Sequence, residues 1–342
     1  MSLGSVSTLS MARLTRNSVR QIQNEMQTLQ QELSSGRKID VAGSLGSGTA
    51  QLLDLRNVRN EIEHFQTAMS GQAARMKMMQ DAMDSIRDST GSVRDLALTA
   101  GGGANETTTA TIDDAAKDAL RSVTNMLNSA MSGRFLFGGT QFDRQPVQGP
   151  DEAGAGGTSP MAAVQAVVGA TPLTNAADVD AMVDGALATL FDSQFGDVFF
   201  NGSTDPVVAR IDGSVTVTYG ATAGDQSFRD TLKGLYLLAA VPADSVSEDA
   251  YKRISERAWG FLNAGEQGMI ETQSVLGLDE ERIATNQSRL DVEKSLVSQQ
   301  IIRLEEADPY ESTLRIDVLK TQLEATFSLT ANLGKLSLTN YI

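Results

Sequence analysis

The amino-acid sequence predicts a mainly α-helical fold, in which N- and C-terminal segments form a long coiled-coil-like helical bundle with an inserted, outward-facing β-rich domain. Apolar residues between Leu55 and Ala97 recur at alternating spacings of three and four, which predicts a long helix with a narrow apolar stripe. Leu276, Ile283, Leu290, Val297 and Leu304 follow at strict intervals of seven. The helical period is absent between residues 141 and 227, so helices flank an insert of a different kind.

The two ends of the chain predict a terminal coiled-coil domain made of residues 1–44 and 305–342. A helix covers most of residues 1–40, with Gly36 expected as its C-cap. The last helix restarts at Asp308-Pro309, with proline at its first position, and runs nearly to Ile342. Both helices carry apolar stripes that we expect to pair as an assembly seam. Its residues are Val19, Ile22, Met26, Leu29, Leu33, Ile316, Leu319, Leu323, Phe327, Leu333 and Leu336.

Residues 45–140 and 228–304 predict a second helical bundle. After the long helix, a return helix is expected over about 113–132, followed by a glycine-bounded strand or tight hairpin at 133–140. Further helices are expected at about 227–242 and 247–265, before the seven-residue repeat begins at Leu276.

Residues 141–227 predict a β-rich variable insert. The abrupt change of composition at its borders is typical of a separate domain: there are eleven acidic residues and two arginines between 141 and 228, and no lysine. A hairpin is expected where residues 207–211 and 215–219 flank Asp212-Gly213, with a short helix near 180–191.

Composition excludes several classes of function. The 342 residues carry 43 acidic and 28 basic side chains, a net charge of −15, which argues against binding to nucleic acid or to anionic membrane surfaces. The absence of cysteine excludes disulfides and thiolate metal sites. Residues 1–10 lack the pattern of a Sec-type signal peptide, and no apolar run approaches the roughly 20 residues that span a bilayer.

No pattern predicts catalytic, metal-binding or cofactor-binding residues, so we expect neither an enzyme nor a cofactor. The only histidine, His64, lies off the apolar stripe of its helix. Two groups of carboxylates fit caps and solvated helix ends better than a metal site. These groups are Asp178, Asp180 and Asp184, and Glu305, Glu306 and Asp308. Met76, Met79 and Met83 fit a bundle core better than a binding groove.

Several short runs resemble the flagellin family. Residues 33–39, LSSGRKI, resemble its L-S-S/T-G-x-R/K-I/V stretch, although DVAG at 40–43 departs from the acidic D-D-P-A-G loop that often follows. GRFLFGG at 133–139 is similar to the signature of the hook-associated protein 3 branch, the hook–filament junction proteins. Residues 319–325, LKTQLEA, and 336–338, LSL, resemble the last helix of the family. The resemblance covers roughly residues 1–140 and 228–342.

The resemblance implies a structural subunit of the bacterial flagellum, extracellular and exported unfolded by the flagellar type III apparatus without cleavage of a signal peptide. The implied partners are neighbouring copies of the chain, another hook-associated junction protein, flagellin and an export chaperone, with neither nucleic acid nor membrane. Two alternatives stay open: a filament-forming flagellin, and a secreted helical adhesin or effector whose β insert binds a target.

Overall fold

Long helices at both ends of the chain dominate the computed structural model, which describes residues 8–101, 106–154, 157–205, 207–213, 216–242 and 245–335. Helix accounts for 75% of the protein, which confirms the predicted mainly α class; the β structure is a small element. The helices are α1 Thr8–Ser35, α2 Val41–Leu45, α3 Gly48–Gly101, α4 Glu106–Leu127, α5 Pro160–Gly169, α6 Ala176–Met182, α7 Ala188–Asp192, α8 Phe195–Val198, α9 Gln226–Ala239, α10 Glu248–Glu305 and α11 Pro309–Lys335. A π-helical turn, Val183–Leu187, joins α6 to α7.

The strands form two short antiparallel hairpins. In the first, β1 (Ala130–Met131) pairs with β2 (Arg134–Phe135). Its two turn residues, Ser132 and Gly133, have φ angles of 52° and 77°, the left-handed conformations of a type I′ turn. In the second, β3 (Val207–Arg210) pairs with β4 (Thr216–Tyr219), with Val207 opposite Tyr219 and Arg210 opposite Thr216.

The chain divides into two compact units. Unit 1 comprises Met1–Glu63 and Leu290–Ile342, and unit 2 comprises His64–Arg289. These borders differ from the predicted ones at 44/45 and 304/305, and the insert falls within unit 2. The division into three domains stays a prediction.

The apolar periodicity of the long helices corresponds to their buried sides. Met69, Met76, Met79 and Met83 of the α3 stripe are buried, and so are Leu276, Ile283, Leu290 and Val297 of the seven-residue repeat in α10. The expected break between residues 265 and 276 is absent, because α10 is one helix of 58 residues. A methyl group at Gly265 would overlap the Thr231 hydroxyl and lie 2.8 Å from the Ser227 carbonyl oxygen. This glycine therefore allows α9 to approach α10 closely.

The insert contains more helix than the sequence predicted. Its described strands are confined to the β3–β4 hairpin, whereas α5 to α8 and the π-helical turn account for its remaining regular structure. The helix starts carry ordinary cap signals: Ser159 caps α5 ahead of Pro160, and the Asn175 side chain accepts hydrogen bonds from the Ala177 and Asp178 amides. These local cap signals prevail over the glycine- and proline-rich composition, which favours strands and loops.

An aromatic cluster joins the insert to α9 in the core of unit 2. Phe191 stacks on Phe199 with ring centroids 4.5 Å apart, and Tyr236 of α9 meets Phe199 edge to face at 5.2 Å. Nearly every α9 side chain from Ser227 to Ala239 is buried. The insert therefore shares its core with the surrounding helices.

Candidate functional site

The terminal helices α1 and α11 pack against each other as an antiparallel pair in unit 1. Ile22 and Leu29 of α1 form a buried cluster with Leu319 of α11, and Met26, Ile316 and Leu323 pack partly buried around it. Beside the cluster, Arg315 Nη2 lies 3.0 Å from Glu25 Oε1. Six of the eleven predicted seam residues are thus brought together within one chain.

The other seam residues lie outside this cluster. Val19 is half-buried, whereas Leu33 and Phe327 are 43% and 52% exposed. Leu333 belongs to α11, and Leu336 lies outside the described residues. The seam therefore has an intrachain centre, and an assembly role for its residues stays a prediction.

Exposed apolar side chains are concentrated in unit 1. Of the nineteen large hydrophobic side chains that are exposed in the described part of the chain, thirteen belong to unit 1, although it is much the smaller unit. Single exposed apolar residues are ordinary, whereas contiguous patches of them mark interaction surfaces.

Helix α11 contributes an exposed apolar stripe that lies outside the predicted seam. Tyr310, Leu314, Val318 and Leu329, here called the outer stripe, are 79%, 56%, 57% and 64% exposed. At roughly 100° per residue, Tyr310 and Leu314 lie on the side of α11 away from Leu319. Val318 and Leu329 lie on the adjoining flank, about 100° and 80° from Leu319 around the helix axis. The spacing of four between the first three is visible in the sequence, but the predicted seam contains none of these residues. Helix α11 thus has two apolar faces, of which α1 covers one.

The GRFLFGG run at 133–139 is built into the fold of unit 2. Leu136 and Phe137 are buried, and Phe137 meets Phe228 of α9 edge to face with centroids 5.5 Å apart. Gly139 has a φ of 62°, and a side chain there would overlap the Ser203 carbonyl oxygen. The run therefore anchors the β1–β2 hairpin to α9 and to the chain that follows α8.

The carboxylates considered for chemistry have structural partners. The side chain of Asp178 accepts hydrogen bonds from the amide and hydroxyl of Thr174, which lower the pKa of its carboxyl group. Asp180 accepts a 2.9 Å hydrogen bond from Arg253 Nε, and Asp184 pairs with Arg257. Within the described ranges, no group of three or more histidine, cysteine or acidic residues is arranged to hold a metal ion.

The carboxylates near residue 305 lie at the junction of α10 and α11. Asp308 caps α11, because its Oδ1 accepts hydrogen bonds from the Tyr310 and Glu311 amides at 2.8 and 3.3 Å. Glu306 is exposed and Glu305 is buried against arginine side chains. His64 is exposed on α3. No described helix combines the length and apolar character needed to cross a membrane.

Comparisons with known proteins agree with this architecture. No curated protein sequence matches the chain. A solved structure from Vibrio parahaemolyticus, provisionally described as a flagellar hook-associated protein, is 14% identical, with a TM-score of 0.56 over 76% of this chain and 98% of that one. FlgL of Bacillus cereus is 12% identical, with a TM-score of 0.43 over 75% of this chain and all of that one.

Family models give the assignment. The bacterial flagellin N-terminal helical region matches residues 6–142, and the bacterial flagellin C-terminal helical region matches residues 264–342. Together they cover well over half of the chain and include α1, the outer stripe and the 133–139 run. The chain therefore belongs to the flagellin family, whose members are structural proteins of the bacterial flagellum.

Proposed function

We propose that this protein is a structural subunit of the hook–filament junction, exported by the flagellar type III apparatus and assembled outside the cell between hook and filament. It acts by packing, with no catalytic step. Its proposed partners are copies of itself, another hook-associated junction protein, flagellin and, before export, a chaperone. The observation that carries a packing role is the concentration of exposed apolar side chains in unit 1.

In an isolated chain, the thirteen exposed large apolar side chains of unit 1 remain in contact with water. Each large apolar side chain that moves from water into an interface gains about 1.5–3 kcal/mol. The four side chains of the outer stripe alone would therefore contribute several kcal/mol if a neighbouring subunit covered them, before the entropic cost of association is subtracted. Burial of these faces between neighbouring subunits of a polymer explains why they are exposed in the single chain.

Assignment to the junction rather than to the filament rests on residues 133–139. Their resemblance is to the hook-associated branch, and the structure gives Phe137 and Gly139 definite packing roles. Flagellin itself remains the second candidate. The two differ in copy number, because a junction needs about one ring of subunits whereas a filament needs thousands. Labelled protein on isolated flagella should appear as a single band next to the hook; label along the filament would establish the flagellin role instead.

A matched pair of substitutions tests the packing role. Leu314→Asp places a carboxylate on the outer stripe, and Leu98→Asp places one on a similarly exposed leucine of unit 2, at 59%. Both variants should fold, because neither side chain is buried. Burial of an unpaired carboxylate costs several kcal/mol, so L314D should be exported and not incorporated, whereas L98D should be incorporated. Circular dichroism of the purified variants measures folding. Immunoblots of cell, medium and flagellar fractions measure export and incorporation. Normal incorporation of L314D would refute the role of the outer stripe.

A further inference from the structure

We propose that Glu305 is a positioning residue, which closes a clasp between the two terminal segments of unit 1 and so sets the direction in which the α1–α11 pair leaves α3 and α10. The clasp consists of Gly36, Arg37 and Lys38 on one segment and Glu305, Glu306 and Ala307 on the other, with Arg56 of α3 beside them. The consequence for assembly rests on the proposed function; the clasp itself does not.

Backbone hydrogen bonds join the two segments. The Lys38 amide donates to the Glu305 carbonyl oxygen at 2.8 Å, and the Ala307 amide donates to the Gly36 carbonyl oxygen at 3.1 Å. Arg37 and Glu306 face each other in this antiparallel bridge. Gly36, with a φ of 68°, ends α1 and turns the chain into the bridge. Both segments flank helix ends, since α1 ends at Ser35 and α10 ends at Glu305.

The Glu305 side chain occupies a position that is unfavourable without partners. It is 7% exposed and is the last residue of α10, where the helix dipole disfavours a negative charge. Arg56, 249 positions away in the chain, donates to its Oε1 through Nη2 and, at 3.2 Å, through Nε. Arg37 Nη1 lies 3.8 Å from Oε2. A buried carboxylate is stable only when it is paired, so closure of the clasp and pairing with Arg56 depend on each other.

The clasp matters because few side chains are fully buried where α1 and α11 pack together. Its buried centre has three side chains, Ile22, Leu29 and Leu319, and apolar contact is non-directional. The backbone bridge and the charged pair, in contrast, impose a defined geometry. They lie where α1 leads into α2 and where α10 leads into α11. The clasp therefore stays closed in the assembled subunit.

Hydrogen exchange tests the clasp directly, because the Lys38 and Ala307 amides both donate within it. Removal of a charged hydrogen-bond partner should lower the protection of these two amides about tenfold to a hundredfold in the Glu305→Gln and Arg56→Gln variants. Arg56→Lys keeps the charge and should retain most of the protection. The control is Glu63→Gln, which removes an ion pair with Lys294 (3.2 Å) in the same unit and should leave both amides unchanged.

Two results would overturn the positioning role. Unchanged protection of the Lys38 and Ala307 amides in E305Q would show that the carboxylate does not close the clasp. An equal loss of protection at α1 amides around Ile22 would show that Glu305 stabilises the whole of unit 1 and has no specific positioning role. Neither measurement requires a flagellum, so both stand whether or not the proposed function is correct.

A disulfide lock tests the link to assembly. The chain contains no cysteine, so R37C with E306C introduces a single pair. Residues that face each other in such a bridge have Cα atoms about 4.5 Å apart, within the range of a disulfide. The oxidised double variant should be incorporated as well as the reduced one. E305Q, whose clasp is weakened, should be incorporated poorly, and the oxidised lock should restore its incorporation. Incorporation only after reduction would show that the clasp opens for assembly, contrary to the inference.

Discussion

Leu319→Ala gives the most direct test of how the terminal helices pair. Leu319 is 6% exposed at the centre of the α1–α11 cluster, where it contacts residues of α1. The substitution removes three carbon atoms from a buried position, at about 0.8 kcal/mol each, or about 2.4 kcal/mol in total. Core leucines cost 2–5 kcal/mol when truncated, and a two-helix contact near the surface can close over part of the cavity, so the low end of that range applies.

This free energy should be lost from the pairing of α1 with α11, with little effect on unit 2. About 2.4 kcal/mol corresponds to a roughly fiftyfold change in the ratio of paired to separated helices. Hydrogen exchange of the α1 amides around Ile22 should accelerate by that factor, while the amides of α4 and α9 keep their protection. The main thermal transition, which reports mostly on the larger core of unit 2, should move little.

The control is Leu314→Ala on the outer stripe. It makes the same chemical change on the same helix at a residue that is 56% exposed. Its effect on the isolated chain should stay within about 0.5 kcal/mol. If L314A accelerated α1 exchange as much as L319A does, the assignment of the two faces of α11 would be wrong. Unchanged α1 exchange in L319A would show that the helices do not pair through this cluster.

Three further predictions concern other parts of the fold. Burial raises the pKa of Tyr251 to about 12, above its usual value near 10, so the stability that the neutral side chain contributes is present below pH 10 and is lost as the pH rises to 12. Tyr251→Phe should therefore reduce the drop in melting temperature between pH 9 and pH 11. An unchanged drop would contradict this prediction. Gly36→Ala should lower the free energy of unfolding by about 1 kcal/mol through its left-handed backbone alone, because no atom lies within 4 Å of the added methyl group. Gly139→Ala should lower it further, because its methyl group would overlap the Ser203 carbonyl oxygen. Equal melting temperatures of the two variants would refute the packing role of Gly139. Deletion of residues 145–225 should expose the buried face of α9 and cause aggregation, contrary to what the composition change suggests; a soluble deletion variant with a cooperative melt would show that the insert is a separate domain after all.

The agreement between sequence and structure is best where a single helix or turn decides the outcome. The α3 stripe and the seven-residue repeat of α10 are buried as predicted, because a regular spacing places residues on one side of a helix whatever lies against it. Pro309 begins α11 as expected, since proline suits the first helical turn. The hairpin at 207–219 also forms as expected, because its turn residues and its alternating strands agree.

Prediction and structure disagree where a feature depends on a contact with a residue that is distant in the sequence. The sequence predicts a helix end at Gly265, but α10 continues through it, and this glycine lets Thr231 of α9 come close. The helices of the insert formed where caps such as Ser159 and Asn175 prevailed over composition. The partners of Asp180 are arginines 73 or more positions away, which no local pattern indicates.

The sequence by itself determined the long helices, their apolar stripes, the helix stop at residues 305–309 and the family motifs, because each depends on residues within a few turns of one another. The tertiary structure decided which face of α11 is covered by α1, left the outer stripe exposed, and buried Glu305 beside an arginine 249 positions away. Spacing specifies the side of a helix on which a residue lies; the partner on that side depends on where the rest of the chain brings its other helices.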